Sequence, residues 1–149
     1  MSTNASLERF APIVVDDPAD SRLDDIRNLN KSDSRPDLPG GKGLVIAEGT
    51  LIVPRLVRSR FPLRAVFGTR QKLASLADGL TASEAAVAET VPWFELDREV
   101  LAAAAGFDLH RGLLATADRA PELSVDQVLS GATTLAVMEG VGDHENIGA

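Results

Sequence analysis

The chain has 149 residues, a net charge of −7, 44% hydrophobic residues, 25% charged residues and no cysteine. This composition is typical of a soluble globular domain, and the lack of cysteine excludes a disulfide framework, a thiolate metal site and a cysteine nucleophile. No apolar run approaches the roughly 20 residues that a membrane-spanning helix needs, and the first ten residues show no signal-peptide pattern, so we expect a cytoplasmic protein. The acidic balance disfavours a nucleic-acid binder but leaves room for a local basic patch.

The first 43 residues are predicted to be mostly irregular. Residues 1–20 are polar and contain prolines, which is typical of a flexible arm. A short helix is predicted from Ser21, as its N-cap, to Leu29, with acidic residues in its first turn. Residues 31–43, "KSDSRPDLPGGKG", are predicted to form a surface loop, and "PGGKG" lacks both the spacing and the preceding strand of a phosphate-binding loop.

From residue 44 onward, apolar runs and amphipathic segments alternate. Short β-branched runs predict strands, and segments with capping residues predict helices. The strands are predicted at 44–47, 63–68, 91–96 and 112–117, and the helices at 51–59, 69–78 and 97–107. Pro54 either marks the true start of the first of these helices or kinks it, and residues 79–90 are ambiguous. This order predicts a parallel or mixed sheet covered by helices.

The pattern changes after residue 118. Residues 119–123 have the composition of a linker, and a short helix capped by Ser124 follows. The run "TTLAVME", residues 133–139, predicts a buried strand. We therefore interpret residues 124–149 as the incomplete start of a second domain. Its strand would have no sheet partner within the chain, so these residues are expected to be poorly packed, with Leu135, Val137 and Met138 uncovered.

Few residues carry a recognisable catalytic or metal-binding pattern. His110 and His144 are not four residues apart on a helix, and the three consecutive polar residues 143–145 rarely converge on one ion, so no metal is expected. No serine-nucleophile motif or acid–base pair is visible, which disfavours a small-molecule enzyme of the α/β type.

Two short segments instead suggest a binding edge. Glu48 ends a predicted strand and precedes Gly49, where α/β proteins place ligand crevices, although a carboxylate there could equally complement a helix dipole. "HRG", residues 110–112, leads into the fourth strand and is either a simple turn or a phosphate contact through Arg111. The segment "RLVRSRFPLR", residues 55–64, is strongly basic.

Three stretches together resemble one family. "VIAEGTLIV" (45–53), "FDLHRGLLATA" (107–117) and "TTLAVMEGVGDHENIGA" (133–149) occur in this order, at about this spacing, in the SpoU/TrmH-type RNA methyltransferases of the SPOUT class. The first two resemble that family's "vvEG" segment and "h-x-G-v-l-A" strand. The third resembles its motif 1, a strand followed by D/E-x-x-x-D-P-x-N-x-G-A/S, whose places are filled by Glu139, Asp143, Asn146 and Gly148, with His144 in place of proline. The resemblance covers roughly residues 17–149.

The resemblance implies a fold and an activity. Residues 21–118 would form an L30e-like α/β/α sandwich with a mixed sheet that binds the RNA substrate. Residues 124–149 would be the first helix and strand of a truncated SPOUT domain, which forms a trefoil knot in the complete enzyme. Such enzymes are homodimers that transfer a methyl group from S-adenosylmethionine to a ribose 2′-hydroxyl of rRNA or tRNA. The knot and the catalytic arginine lie beyond this sequence, so the chain alone is expected to be inactive and to hold no cofactor-binding residue.

The resemblance also assigns candidate residues. Asn146 would orient the missing arginine by hydrogen bonding, unless it is only a turn residue, while Glu139, Asp143 and Gly148 would shape the motif-1 loop. The candidate RNA contacts are Glu48, Arg55, Arg58, Arg60, His110 and Arg111. The alternative is a stand-alone L30e-like module that binds RNA or protein without catalysis.

Overall fold

The structure is a computed structural model that describes residues 5–31 and 41–142. Its helices are α1 (Ala5–Glu8), α2 (Val53–Val57), α3 (Arg70–Gly79), α4 (Ala82–Ala88), α5 (Arg98–Ala105) and α6 (Val125–Leu129), with a 3₁₀ helix at Ser21–Ile26. Its strands are β1 (Ile13–Val14), β2 (Leu44–Glu48), β3 (Leu63–Gly68), β4 (Trp93–Glu95) and β5 (Leu113–Asp118). None of the helices in this described part of the chain has the length and apolarity that crossing a bilayer requires.

The five strands form one mixed sheet in the order β1-β4-β3-β5-β2. β1, β4 and β3 run parallel, and β5 runs antiparallel to both of its neighbours, β3 and β2. The predicted α/β class with a mixed sheet is therefore confirmed. Because β5 alone is reversed, the carboxyl ends of the other four strands share one edge of the sheet with the start of β5.

Helices cover both faces of the sheet. On one face, apolar side chains of α1, α2, α3 and α4 pack against Val66, Trp93 and Ala115. On the other face, the 3₁₀ helix and α5 pack against Phe67, Phe94 and Leu114. β5 lies between the two layers, and its first five residues are buried. This burial explains why the first five residues of the strand are apolar apart from Thr116, rather than alternating between apolar and polar.

Residues 5–20 differ from the flexible arm expected from their composition. Leu7 is fully buried, and the ring of Phe10 stacks on that of Trp93 with centroids 4.0 Å apart. Arg9 pairs with Glu89, and β1 adds a fifth strand beside β4. The apolar pair at i and i+3 in "LERF" forms one face of a helical turn, and burying it offsets the cost of ordering this polar segment.

Several element boundaries also differ from the predictions. The predicted helix at 21–29 is a 3₁₀ helix that ends at Ile26, and its N-cap is Asp20 rather than Ser21. The Asp20 carboxylate accepts from the side chain and the backbone N–H of Arg22, and these bonds lower the pKa of Asp20 to about 2. Pro54 lies in the first turn of α2 and so marks its start. Residues 79–90, which are ambiguous by sequence, contain α4.

The predicted strand at 133–139 is not present. These residues have no regular secondary structure, and every residue from 121 to 142 is exposed. Leu135, Val137 and Met138 are 50%, 90% and 63% exposed, in line with the expected poor packing. An isolated apolar run gains nothing from an extended conformation when no neighbouring strand completes its hydrogen bonds. The predicted helix after Ser124 is present as α6, with Ser124 as its N-cap.

Candidate functional site

Three loops meet where β2 and β3 end and β5 begins, and backbone hydrogen bonds join them. The N–H of Gly49, just after β2, donates to the carbonyl of Leu113 at 2.9 Å. The N–H of Thr69, just after β3, donates to the carbonyl of Gly112 at 3.1 Å, and the N–H of Gly112 donates to the carbonyl of Leu109 at 3.0 Å. This edge of the sheet is therefore held by the main chain, independently of the side chains that project from it.

A cavity of about 520 Å³ opens at this edge, between the start of α2 and the start of α3. Its lining combines the segment after β2 with the segment before β5, and consists of Gly49, Thr50, Leu51, Ile52, Lys72, His110 and Arg111. The two short segments that the sequence marked as a binding edge, "EGT" and "HRG", thus contribute to one cavity. Its volume falls within the range of small-ligand sites, roughly 300–1,000 Å³.

Gly49 controls how closely these two segments approach. Its φ of +89° lies in the left-handed region, where residues with a side chain are strained. A Cβ placed on Gly49 would lie 2.7 Å from Cδ of Arg111, which is too short for two carbon atoms. The side chain of Arg111 therefore packs directly across the Gly49 backbone, and only glycine permits this arrangement.

The cavity is lined by basic side chains and by no carboxylate. Lys72 projects from the first turn of α3, and Arg111 precedes β5; neither forms an ion pair with any residue in the described ranges 5–31 and 41–142. His110 is 82% exposed, and its Nδ1 lies 3.2 Å from a carboxylate oxygen of Asp108. The lining therefore includes two cationic side chains and no carboxylate, although the whole chain is acidic.

Glu48 does not line this cavity. It is half-buried at the end of β2 and alternates with the buried Ala47, so it lies on the other face of the sheet from Ala47 and α2. Within the described residues, its carboxylate forms neither a hydrogen bond nor an ion pair. The structure thus separates Glu48 from the basic candidates that follow it in the sequence.

Three of the four arginines of the basic segment, the candidate contacts Arg55, Arg58 and Arg60, lie apart from Arg111. Arg58 and Arg60 line a second cavity of about 460 Å³ beside the start of β3, at the opposite edge of the sheet. Arg58 Nε is 3.0 Å from the Glu84 carboxylate, and the Arg60 guanidinium lies 5.3 Å from the centre of the Phe61 ring. Arg55 is exposed in the middle of α2. Four of the six candidate RNA contacts therefore lie in two separate cavities, whereas Arg55 and Glu48 line neither of them.

The candidate catalytic segment is described only in part. Glu139 is exposed in an irregular stretch, whereas Asp143, His144, Asn146 and Gly148 lie outside the described residues. In the described part of the chain, no group of three histidine or acidic side chains is arranged to hold a metal ion.

Lys72 is a lining residue that the sequence reasoning missed. It lies at the third position of the helix that follows β3, within "GTRQK". The order of the elements could have indicated it, because a helix that follows a parallel strand begins at the edge of the sheet where the neighbouring parallel strands end. Applied to α3, this rule places Lys72 near Glu48 and Gly49.

The chain is similar in sequence to proteins from mycobacteria. A protein of Mycobacterium tuberculosis strain H37Rv named "uncharacterized tRNA/rRNA methyltransferase" is 53% identical to the chain over 135 residues, which is 91% of the chain. The chain is similar to tRNA/rRNA methyltransferases. A protein of the same name from Mycobacterium bovis has the same identity over the same length. The chain spans 45% of the length of each of these relatives. No protein-family model and no solved structure matches the chain.

Proposed function

We propose that the chain is the RNA-binding part of an RNA methyltransferase. The observation that carries this proposal is the 53% identity, over 91% of the chain, to proteins named tRNA/rRNA methyltransferases. The basic, carboxylate-free cavity at the edge of the sheet supports it, because RNA offers a phosphate at every nucleotide. The substrate proposed is therefore rRNA or tRNA.

The proposed reaction is transfer of a methyl group from S-adenosylmethionine to a ribose 2′-hydroxyl. This finer assignment rests on the resemblance of "VIAEG", "LHRGLLATA" and the motif-1 segment to the SpoU/TrmH family. A mixed sheet covered by helices on both faces is compatible with the L30e-like domain that this resemblance implies. In the complete enzyme, proposed to be a homodimer, Asn146 would orient the catalytic arginine, and Glu139, Asp143 and Gly148 would shape its loop.

The lining of the cavity at this edge of the sheet does not fit S-adenosylmethionine itself. That cofactor carries a sulfonium cation, and the cavity presents Lys72, His110 and Arg111 without a carboxylate. The positive charges of Lys72 and Arg111 repel the sulfonium cation, and no carboxylate of the lining offsets this repulsion. We therefore propose that the cofactor binds to a part of the longer protein that this chain does not include, and that the chain alone does not methylate.

The test uses the chain and a longer protein that includes the segments present in its relatives. The longer protein is incubated with radiolabelled S-adenosylmethionine and with rRNA or tRNA, and the modified nucleotide is identified by mass spectrometry. We expect a ribose-methylated nucleotide that resists alkaline hydrolysis at its 3′ side. Methylation of a base would refute the 2′-hydroxyl assignment, and absence of any methylation would refute the enzyme.

A second measurement tests the chain alone. Adding S-adenosylmethionine is expected to leave its melting temperature unchanged, because a ligand raises the melting temperature only if the native state binds it. A dose-dependent rise would contradict the proposed location of the cofactor site. A stand-alone RNA-binding module is the second candidate, since both hydrophobic clusters are complete within residues 7–117. RNA binding without methylation by the longer protein would favour that module.

A further inference from the structure

We infer that the cavity between the starts of α2 and α3 binds one nucleotide unit of an RNA strand. Lys72 and Arg111 would hold its phosphate, and Leu51 and Ile52 would contact its sugar or base. This inference rests on the proposed function. It extends the phosphate contact through Arg111 that the sequence suggests, because it adds Lys72 to that contact and assigns an apolar contact to Leu51 and Ile52.

The charge of the lining favours a phosphate. Lys72 and Arg111 approach the cavity from different elements, and neither is neutralised by a carboxylate within residues 5–31 and 41–142. A guanidinium can donate two parallel hydrogen bonds to a phosphate, and an ammonium adds a compact charge. His110, which is 82% exposed, also lines the cavity, and its Nδ1 faces the carboxylate of Asp108. Two unpaired cations in one cavity favour an anion as the ligand.

The lining also includes two large apolar side chains. Leu51 is 77% exposed and Ile52 is 40% exposed, and the two residues are adjacent at the start of α2. Placing two large apolar side chains in water costs free energy that a bound apolar surface would recover. A nucleotide combines the same two properties, because it carries an anionic phosphate and the flat face of a base. An inorganic phosphate would leave the apolar side chains without a contact and would fill little of the 520 Å³ cavity.

The cavity is also prepared for binding before any ligand arrives. The backbone hydrogen bonds from Gly49 to Leu113 and from Thr69 to Gly112 fix the loops that carry the lining. Because Arg111 packs across Gly49, its aliphatic stem has a supporting surface within van der Waals distance. A side chain held in place loses less conformational entropy on binding, so more of the interaction energy contributes to affinity. Gly49 is thus a positioning residue for Arg111.

The exposure of the lining favours a polymer over a free nucleotide. The side chains at the rim, Leu51 and His110, are 77% and 82% exposed, so the cavity forms an open groove rather than an enclosed pocket. A continuous strand can cross such a groove and leave at both ends. A free nucleotide would keep much of its surface in water there and would bind weakly.

The test is fluorescence anisotropy with a labelled, short single-stranded RNA over a series of KCl concentrations. Three proteins are compared: the full 149-residue chain, Lys72→Gln/Arg111→Gln and Leu51→Ser. We expect the double variant to bind at least about tenfold more weakly. The slope of log Kd against log KCl concentration should also fall by about 0.7 for each phosphate that the variant no longer neutralises. Leu51→Ser should weaken binding and leave the slope unchanged, because this substitution removes apolar surface and no charge.

A control with the same change in charge separates the cavity from the general field of the protein. Lys31→Gln/Lys42→Gln also removes two positive charges, but neither residue lines this cavity or the second cavity near Arg58. The inference predicts that this control changes affinity much less than the cavity variant. Equal losses in both variants would overturn it. Arg111, Leu51, Lys31 and Lys42 are exposed and Lys72 is partly exposed, so circular dichroism should confirm that all variants fold.

The remaining outcomes distinguish the inference from the proposed function. If the unaltered chain does not bind RNA, the proposed RNA-binding role fails. If it binds RNA and the cavity variants bind equally well, the role stands and the inference is overturned, with the second cavity near Arg58 as the next surface to test. Displacement of the RNA by low concentrations of adenosine monophosphate, at constant ionic strength, would assign the cavity to a free nucleotide and overturn the RNA assignment.

Discussion

Single residues at the edge of the sheet depend on one another in pairs. Gly49 has no side chain, which allows Arg111 to cross its backbone, and the same turn brings the N–H of Gly49 to the carbonyl of Leu113. Arg64 shows the same dependence elsewhere, because hydrogen bonds to Asp25 and Asp118 raise its pKa and join the 3₁₀ helix to the sheet. Gly49 and Arg64 therefore contribute by fixing the positions of other residues.

Gly49→Ala should therefore destabilise the chain and disturb Arg111. The left-handed φ of +89° alone costs about 1–2 kcal/mol for a residue with a Cβ, and the clash with Arg111 adds to this cost. Gly79→Ala is the matched control, since Gly79 is the last residue of α3 and a Cβ there meets nothing within 4 Å. We expect the control to be neutral or to stabilise by up to about 1 kcal/mol. Urea unfolding followed by circular dichroism measures both, and equal effects would contradict the assigned role of Gly49.

At the scale of elements, helix starts are specified by short local motifs. α4 begins with a capping box in which the Thr81 hydroxyl accepts from the Glu84 N–H and the Glu84 carboxylate accepts from the Thr81 N–H. α6 begins with the same arrangement of Ser124 and Gln127. The alanine-rich composition of residues 79–90 obscured α4, although "TASE" carries this signal at the required spacing.

Thr81→Ala should destabilise the chain by about 1 kcal/mol, because it removes the oxygen that accepts from the first turn of α4. Thr81→Ser keeps that oxygen and is the control, which we expect to unfold close to the unaltered chain. Chemical unfolding at neutral pH compares the three proteins. A loss in the serine variant equal to that in the alanine variant would show that the methyl group, and not the cap, is responsible.

The stability contributed by Glu84 should depend on pH. The backbone N–H of Thr81, the Thr81 side chain and the positive charge of Arg58 together lower the pKa of Glu84 below its ordinary value of 4.5. In acid the unfolded chain therefore takes up this proton before the folded chain does, so the stabilisation is present above pH 4.5 and is lost as the pH falls through the lowered pKa. Glu84→Gln should reduce the decrease in stability between neutral pH and this acidic range. An unchanged pH profile in that variant would contradict the role of the carboxylate.

At the scale of the whole molecule, the two terminal segments behave differently. Residues 5–20 contribute Leu7, Phe10 and Val15 to the two hydrophobic clusters and add a strand to the sheet. Residues 121–142 contribute no buried residue. The domain therefore extends further toward the N-terminus than composition suggested and, among the described residues, its buried part ends with β5.

Phe10→Ala tests the N-terminal part of this statement. Phe10 is 8% exposed and stacks on Trp93, so its truncation should cost about 3–5 kcal/mol, as for other buried phenylalanines. Ile13→Ala, at a position 43% exposed, should cost much less. The midpoint of urea unfolding and the fluorescence of Trp93 report both changes. If Phe10→Ala lowers the stability no more than Ile13→Ala does, the result would instead support the flexible arm expected from composition.

Hydrogen exchange tests the C-terminal part. The amides of residues 133–142 form no hydrogen bond to the described chain, so they should exchange at the rate of an unstructured peptide. The amides of β5, which pair on both sides with β2 and β3, should exchange only on global unfolding. Strong protection of residues 133–142 in a monomer would show that this segment packs in a way that the structure does not contain.

The sequence by itself determined the α/β class, the strand β3 to the residue, the helix starts at Thr69, Asp97 and Ser124, and two segments that line one cavity. These features depend on contacts between residues close in the chain, so periodicity and capping reveal them. Only the tertiary structure decided that Lys72 joins Arg111, that Arg58 and Arg60 lie at the opposite edge, and that Phe10 packs on Trp93. Each of these depends on the strand order, which the burial of distant apolar surfaces selects and no local pattern encodes.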